Sequence, residues 1–146
     1  MTDLDQVFTD LVRFQIDLWN GVDADLREAA DTSLASIESL RVIAARDVCR
    51  VNDIADDLRI TVGGASKIAD RLERAGLVER RANPVDRRSS LVALTREGRA
   101  TLDRAAPVYE AALARRLGDR LDGATLDHLA RALRLLRTEP TREDSE

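Results

Sequence analysis

The stretch VNDIADDLRITVGGASKIADRLERAGLVERRANPVDRRSSLVALTREG, residues 51–98, decides the fold of this chain. Its first half contains two short helical patterns in succession, in which apolar residues recur at three- and four-residue steps. Ile54 and Leu58 mark the buried face of the first pattern, and Ile68 and Leu72 mark that of the second. The spacing therefore predicts two short helices joined by a tight turn.

Local signals mark the ends of both helices. Asn52 and Thr61 have the short polar side chains that cap the first backbone N–H groups of a helix. Gly76 follows the second pattern, where a left-handed terminator is expected and where glycine carries no steric cost. These signals predict that the second helix begins after Thr61 and ends before Gly76.

After Gly76 the apolar period changes from helical to alternating. Residues 77–81 and 90–94 read as short strands, and the turn-rich segment NPVDRR, residues 83–88, separates them. Two short helices followed by a hairpin with a basic tip are the parts of a winged helix-turn-helix, whose second helix enters the major groove of DNA. We therefore predict a mainly α-helical fold with a small β-hairpin.

The second helix and the hairpin tip contain the candidate DNA contacts. Gly63 and Gly64 each cost that helix roughly 1 kcal/mol relative to Ala, a cost that close approach of the backbone to DNA offsets. Asp86 is the expected brace of the wing, because phosphate repels a carboxylate and the side chain is suited to orient an arginine. The predicted DNA-contacting residues are Thr61, Gly63, Gly64, Ser66, Lys67, Arg71, Arg87 and Arg88. A solvated basic face explains any one of them alone, but caps, glycines, terminator and hairpin in this order favour DNA binding.

The charge distribution supports this interpretation better than the total charge does. The chain has a net charge of −4, which by itself argues weakly against a nucleic-acid partner, because DNA affinity depends on neutralising phosphates. Residues 1–30 carry a net charge of −5, whereas residues 61–90 carry +3. The acidic total keeps open the alternative of a winged-helix module that binds proteins without binding DNA.

Long helical patterns flank the stretch on both sides. One covers residues 4–26, and Thr32 or Ser33 caps the next, which ends near residue 46. Thr95 caps a long helix that runs to about residue 117, and Pro107 inside it predicts a kink or a break. A last helix covers about residues 125–137.

Residues 51–98 resemble the DNA-binding lobe of the MarR family, the multiple-antibiotic-resistance regulators. The most specific marks are RLERAGLVERR (71–81), DRRSSLVALT (86–95) and Gly98. The resemblance implies an obligate homodimer, held by the first and last helices, that binds a pseudo-palindromic operator in double-stranded DNA and usually represses nearby genes. Asp86 and Arg88 match the wing pair of the family, while Gly64, Ser66 and Lys67 fall at the reading end of its recognition helix.

On this basis we expect one compact unit with a defined order of segments. The expected segments are an N-terminal dimerisation helix (1–32), a winged helix-turn-helix lobe (33–98), C-terminal dimerisation helices (99–138) and a frayed tail (139–146).

The resemblance also implies a small aromatic or phenolic effector that loosens DNA binding. The candidates to line its pocket, between the dimer helices and the reading lobe, are Phe14, Trp19, Val42 and Tyr109. Arg13 or Arg41 is a candidate partner for an acidic group on the effector. Core packing explains the aromatic residues with less assumption.

Enzymatic chemistry is not expected. Cys49 is a single cysteine in a short apolar strand, so it is expected to be a core residue rather than an oxidation sensor. His128 has no metal-ligand spacing around it and no nucleophile turn to serve, so we predict no enzyme, no metal site and no cofactor. No apolar run of about 18 residues and no secretory signal occurs, so we expect a cytoplasmic protein without a membrane partner.

Overall fold

The computed structural model describes residues 1–137, and within them the chain forms six α-helices and three short strands. The predicted tail, 139–146, lies outside the described residues. The chain divides into two compact units, Met1–Ala112 and a second unit that starts at Leu113. The elements are α1 (Leu4–Ala30), α2 (Leu34–Ala44), β1 (Cys49–Arg50), α3 (Val51–Leu58), α4 (Val62–Arg74), β2 (Val78–Ala82), β3 (Ser90–Leu94), α5 (Arg96–Leu113), a π-helix (Ala114–Gly118) and α6 (Gly123–Leu136). The prediction of a mainly helical winged-helix fold is confirmed.

The sheet contains one strand more than the predicted hairpin. Its order is β1-β3-β2, and both pairings are antiparallel. β2 and β3 form the hairpin, with Val78 opposite Leu94, while the two residues of β1 pair with the other edge of β3, with Cys49 opposite Val92. The short apolar strand before α3 therefore closes the base of the wing.

Most of the predicted helix ends are confirmed. Ser33 caps α2 by accepting a hydrogen bond from the N–H of Ser36, and Gly76 has a φ of +76° just after α4. The prediction that Asn52 caps α3 is wrong, because α3 already begins at Val51. Arg50 is extended as part of β1, and the carboxylate of Asp53 accepts its backbone N–H at 2.8 Å. The strand pairing thus moves the cap of α3 from the predicted Asn52 to Arg50, two residues earlier.

α5 begins where the sequence predicts, and the α-helix ends at Leu113, about four residues before the predicted end. The hydroxyl of Thr95 accepts the N–H of Gly98 at 3.1 Å and donates to the carbonyl of Gly76 at 2.6 Å, which ties the start of α5 to the end of α4. Pro107 lies inside α5 without ending it, so of the predicted kink or break the break does not occur. A proline removes one backbone donor, and the helical hydrogen bonds on either side are enough to carry α5 to Leu113, after which the π-helix follows.

The core of the first unit lies between α2, α3, α4 and the sheet. Leu40, Ile54 and Leu72 are among its largest fully buried side chains. A Cβ on Gly98 would meet the backbone carbonyl of Leu77, so only glycine allows α5 to start this close to the sheet. α1 joins the core only through its last turns, where Val22, Leu26 and Ala30 are buried.

In the second unit, α6 begins at Gly123, two residues before the predicted start. The carboxylate of Asp122 caps it by accepting the N–H of Thr125 at 2.8 Å, and this hydrogen bond lowers the pKa of that carboxyl. Leu133, Leu135 and Leu136 are exposed on its last turn. None of the helices in residues 1–137 is both long enough and apolar enough to cross a membrane.

Candidate nucleic-acid interface

The first turn of α4 presents an open backbone. The hydroxyl of Thr61 caps the helix by accepting the N–H of Gly64 at 3.0 Å. A Cβ on Gly64 would lie 3.1 Å from this hydroxyl oxygen, so packing against the cap favours glycine there. A Cβ on Gly63 would meet nothing within 4 Å. No packing within the described chain requires the glycine at 63, and the backbone of this turn is open to solvent.

One face of α4 is exposed and basic. Gly63, Lys67 and Arg71 are spaced by four residues and therefore share a face of the helix, and all three are exposed. Arg74, which the sequence-based selection missed, is three residues beyond Arg71 and is exposed as well. The sequence could have identified Arg74, because the helical spacing that selects Lys67 and Arg71 also places Arg74 near their face. The helix thus carries three cations along the side that faces away from the core.

The wing tip places two arginines in solvent. Arg87 and Arg88 are exposed, and within residues 1–137 no ion pair or side-chain hydrogen bond engages either guanidinium group. The Asp86 carboxylate accepts the backbone N–H of Arg88 at 2.9 Å, and the carbonyl of Asp86 accepts the N–H of Ser89 at 3.3 Å. Asp86 therefore holds the turn through the backbone of Arg88, whereas the sequence-based hypothesis assigned it to an arginine side chain.

Arg80 connects the wing to α4, and sequence reasoning missed it. Its guanidinium forms an ion pair with Asp70 and donates to the hydroxyl of Ser90 at 3.2 Å, and its Nη2 lies 3.5 Å from the hydroxyl of Ser66. Its backbone N–H donates to the carboxylate of Glu73 at 2.9 Å. The alternation of side chains along a strand could have identified it. Arg80 is two residues after the buried Val78, so both side chains lie on the face of β2 that packs toward α4. Ser66, predicted to face DNA, is half-buried beside this arginine.

A separate cleft lies between α2 and α5 in the first unit. It has a volume of about 350 Å³ and is lined by Ile37, Arg41, Arg99, Leu102, Asp103, Ala106, Tyr109 and Glu110. Arg41 donates to the Tyr109 hydroxyl at 2.6 Å and stacks over its ring, with 4.8 Å between the guanidinium carbon and the ring centroid. Glu38 pairs with Arg41 at 2.9 Å. Burial, and then the charge of Glu38, raise the pKa of Tyr109, so the phenol is neutral.

The other candidate effector residues are elsewhere. Phe14 and Trp19 lie on α1, are each at least 40% exposed, and do not line this cleft. The family resemblance placed them in one pocket with Tyr109, whereas in the structure Phe14 and Trp19 are exposed on α1. Of the candidate effector residues, Arg41 and Tyr109 are the two that line the cleft between α2 and α5.

Cys49 is enclosed by β1 and its neighbours. It is 2% exposed, and burial, together with the nearby charge of Asp53, raises the pKa of its thiol to about 11. A thiol that is both covered and protonated is a poor nucleophile. This placement agrees with the expectation of a core residue.

The middle of the chain matches a known family. Residues 33–90 match the sequence model of the MarR family. This segment begins at the cap of α2 and includes α4 and the wing tip. No curated protein matches the chain significantly. The match therefore covers the part of the chain that carries the candidate DNA contacts.

Solved structures extend the likeness to most of the chain. Sco3205, a MarR family transcriptional regulator from Streptomyces coelicolor solved in complex with DNA, is 25% identical over 92% of this chain and 90% of its own, with a TM-score of 0.82. AbsC, a MarR family transcriptional regulator from the same organism, is 26% identical over 92% of this chain and 93% of its own, with a TM-score of 0.80. BpsR from Bordetella bronchiseptica, whose DNA binding is regulated by 6-hydroxynicotinic acid, has the same fold at 21% identity, covering 100% of this chain and 99% of its own, with a TM-score of 0.80.

Proposed function

We propose that this chain is a sequence-specific DNA-binding regulator of the MarR family, which represses transcription by occupying an operator as a homodimer; the match of residues 33–90 to the MarR family model supports the proposal. The observation that carries the proposal is the exposed basic face of α4 beside a wing whose Arg87 and Arg88 have no side-chain partner among residues 1–137. The likeness to Sco3205, solved in complex with DNA, supports the same interpretation.

In this proposal α4 enters the major groove and the wing contacts the neighbouring backbone or minor groove. The open N–H groups at the start of α4, around Gly63, donate to a phosphate. Lys67 and Arg71 reach phosphates or base edges, and Arg87 and Arg88 reach the minor groove or backbone phosphates. Two subunits place their recognition helices about 34 to 36 Å apart, one helical turn of DNA, so the operator is pseudo-palindromic.

The surface of α1 supports the homodimer. Eight apolar side chains on its first five turns are each at least 40% exposed: Leu4, Val7, Phe8, Leu11, Val12, Phe14, Ile16 and Trp19. An apolar surface of this extent on one helix is typical of a protein interface rather than of a monomer. A second copy of the chain is the partner that a two-fold operator requires.

The cleft between α2 and α5 is the proposed effector site. Its volume of about 350 Å³ lies within the range of small-molecule sites. The guanidinium of Arg41 suits a carboxylate, and the ring of Tyr109 suits an aromatic face, so the proposed ligand class is a small aromatic or phenolic acid. BpsR, at 21% identity, shares the fold, and the ligand class is inferred from Arg41 and Tyr109 in the cleft.

The test of DNA binding is fluorescence anisotropy of the purified protein against the duplex upstream of its own coding sequence and against a scrambled duplex, across several salt concentrations. Specific binding that weakens steeply with salt is expected, because phosphate contacts release counterions. Absence of binding to both duplexes at low salt would favour the alternative of a protein-binding module.

Arg88→Ala sharpens that test. It is expected to weaken binding to the upstream duplex roughly tenfold and to reduce the salt slope by about one, because one phosphate or minor-groove contact is lost. Arg27→Ala, which removes an exposed positive charge from α1, is the matched control and should leave both quantities unchanged. Equal affinity of Arg88→Ala and the unaltered protein would refute the role of the wing.

The effector proposal has its own test. Hydroxylated aromatic acids, including 6-hydroxynicotinic acid, are added to the preformed complex with DNA, and release is followed by anisotropy. Arg41→Gln should abolish release by a compound that acts on the unaltered protein, whereas Arg96→Gln, at the exposed start of α5 outside the cleft, should not. Equal release from Arg41→Gln would place the effector elsewhere.

A further inference from the structure

Arg80 is the residue through which three elements of the DNA-binding lobe meet. It lies on β2, its guanidinium pairs with Asp70 on α4, and the same guanidinium donates to Ser90 at the first position of β3. The carboxylate of Glu73, also on α4, accepts the Arg80 backbone N–H. One side chain and its own backbone thus tie the recognition helix to both strands of the wing.

The guanidinium of Arg80 is already occupied. An arginine side chain presents five N–H donors in a planar fork, and here that fork engages a carboxylate and a hydroxyl, with the hydroxyl of Ser66 3.5 Å away. The side chain is 20% exposed. Arg80 is therefore unlike Arg87 and Arg88, whose guanidinium groups are exposed and have no partner within the described part of the chain.

Asp70 is a carboxylate on α4, the helix that is proposed to approach DNA. A carboxylate on such a helix is repelled by phosphates, so its presence lowers attraction unless a cation neutralises it. Arg80 neutralises it, and the pair as a whole adds no net charge to the interface. The pair therefore adds no electrostatic attraction to DNA, and its contribution is to hold α4 and the wing in a fixed relative position.

We propose that Arg80 is a positioning residue for operator recognition, which fixes the angle and distance between α4 and the wing by its contacts with Asp70, Ser66 and Ser90, without itself touching DNA. The proposal rests on the DNA-binding function proposed above and goes beyond it. It names a residue that decides whether the helix and the wing fit their two grooves at the same time.

Asp70→Asn gives a test in which positioning and electrostatics predict opposite results. Removing a negative charge next to DNA should strengthen binding if charge alone mattered. If the pair positions α4, the variant should instead bind the upstream duplex roughly tenfold more weakly, because helix and wing no longer hold the spacing that the two grooves need. The salt slope should stay unchanged, since no phosphate contact is removed.

Glu79→Gln is the matched control. It removes one negative charge at the residue next to Arg80, where Glu79 pairs with Arg81 on the exposed surface at 3.2 Å. This variant should bind the duplex equally or more tightly. Urea unfolding of both variants should show that they remain folded, which an Asn at a half-exposed helix position allows.

Arg80→Lys provides a second, independent variant. It keeps the positive charge, but an ammonium group cannot hold three acceptors in one plane as a guanidinium does. We expect the same loss of affinity at an unchanged salt slope. A slope that falls by about one would mean that Arg80 contacts a phosphate, and would overturn the positioning role.

The outcomes separate the two proposals. If the unaltered protein binds the upstream duplex and Asp70→Asn binds it equally or more tightly, the positioning role is refuted and the DNA-binding function stands. If the unaltered protein binds no DNA, the proposed function fails and the role of Arg80 fails with it.

Discussion

The winged-helix lobe, residues 33–98, and the first five turns of α1 use apolar residues in opposite ways. In the lobe, Leu40, Ile54 and Leu72 are at most 2% exposed, and the elements contact one another on several sides. On α1, Phe8 is 65% exposed although it belongs to the same helical period as the buried residues further along. Both regions show the same helical spacing of apolar residues. Within the described chain, other elements cover the apolar residues of the lobe, whereas those on the first turns of α1 stay exposed.

This difference teaches how to interpret an amphipathic helix in a single chain. Periodicity indicates that one face of a helix will be buried, and it does not indicate which chain buries it. In α1 the last turns are covered by the lobe and the first turns are not. The uncovered turns are therefore the region where the proposed second copy binds, and the lobe is expected to fold without it.

The largest effect is expected from breaking the uncovered face. Phe8→Glu combined with Leu11→Glu should convert the proposed dimer into a monomer, because each carboxylate would be buried against an apolar surface. A monomer binds one half-site, so affinity for the upstream duplex should fall by on the order of 100-fold. Light scattering after gel filtration measures the mass, and anisotropy measures the affinity.

The control for this variant adds the same charge without touching the apolar face. Arg13→Glu makes the same change of two charge units at one exposed position of α1, which is two residues from Leu11 and five from Phe8 and therefore lies on another side of the helix, and it should leave the mass and the affinity unchanged. If the Phe8 and Leu11 variant also unfolds the lobe, as measured by circular dichroism and urea unfolding, the lobe does not fold independently of the first turns of α1.

A second variant tests how tightly the lobe packs. Gly98→Ala places a Cβ against the backbone carbonyl of Leu77, where neither side can move without shifting α5 from the sheet. We expect a loss of about 3 kcal/mol or more in the free energy of unfolding. Urea titration measures it. A loss below 1 kcal/mol would mean that the start of α5 is not fixed against the sheet.

Gly63→Ala makes the same substitution in the same lobe and is expected to have the opposite effect on stability. Its Cβ meets nothing within 4 Å, so the variant should gain about 1 kcal/mol of stability from the higher helix propensity of alanine. If the backbone approaches DNA at this turn, affinity should fall roughly tenfold at the same time. Higher stability with unchanged affinity would remove the first turn of α4 from the interface.

The sequence was sufficient to predict the fold wherever signals were local. The cap at Thr61, the terminator at Gly76 and the alternation of the hairpin each depend on a few neighbouring residues, and each is confirmed. The start of α3 could not be predicted in this way. It depends on β1 pairing with β3, a contact between residues about forty positions apart, which shifts the cap to Arg50.

The candidate site shows the same division. Lys67 and Arg71 follow from helical spacing alone, and the structure places them on the exposed face of α4. Arg80 and Tyr109 gain their roles from partners on other elements, Asp70 and Arg41, that no single-element pattern connects. Charge and spacing in a sequence therefore indicate which residues are available, and the packing of elements decides which of them meet.

The smallest effect is expected at Cys49, where hydrogen peroxide should leave DNA affinity unchanged within a factor of two. The thiol is buried in the lobe, and its pKa is raised from 9.0 to about 11 by burial and by Asp53, so the reactive thiolate is scarce at neutral pH. Because the folded chain holds the proton more tightly than the unfolded chain, this difference stabilises the fold below pH 9. The contribution is lost as the pH rises from about 9 toward 11.

Thiol labelling at pH 8 compares the two states of the lobe directly. A maleimide should react with Cys49 in urea and not in the native protein, and Cys49→Ala should lack the extra loss of stability between pH 9 and 11. Rapid labelling of the native protein would mean that the lobe opens around β1 far more readily than its packing indicates. In that case the lobe, like the first turns of α1, would need the second copy to complete its fold, and the contrast between the two regions would not hold.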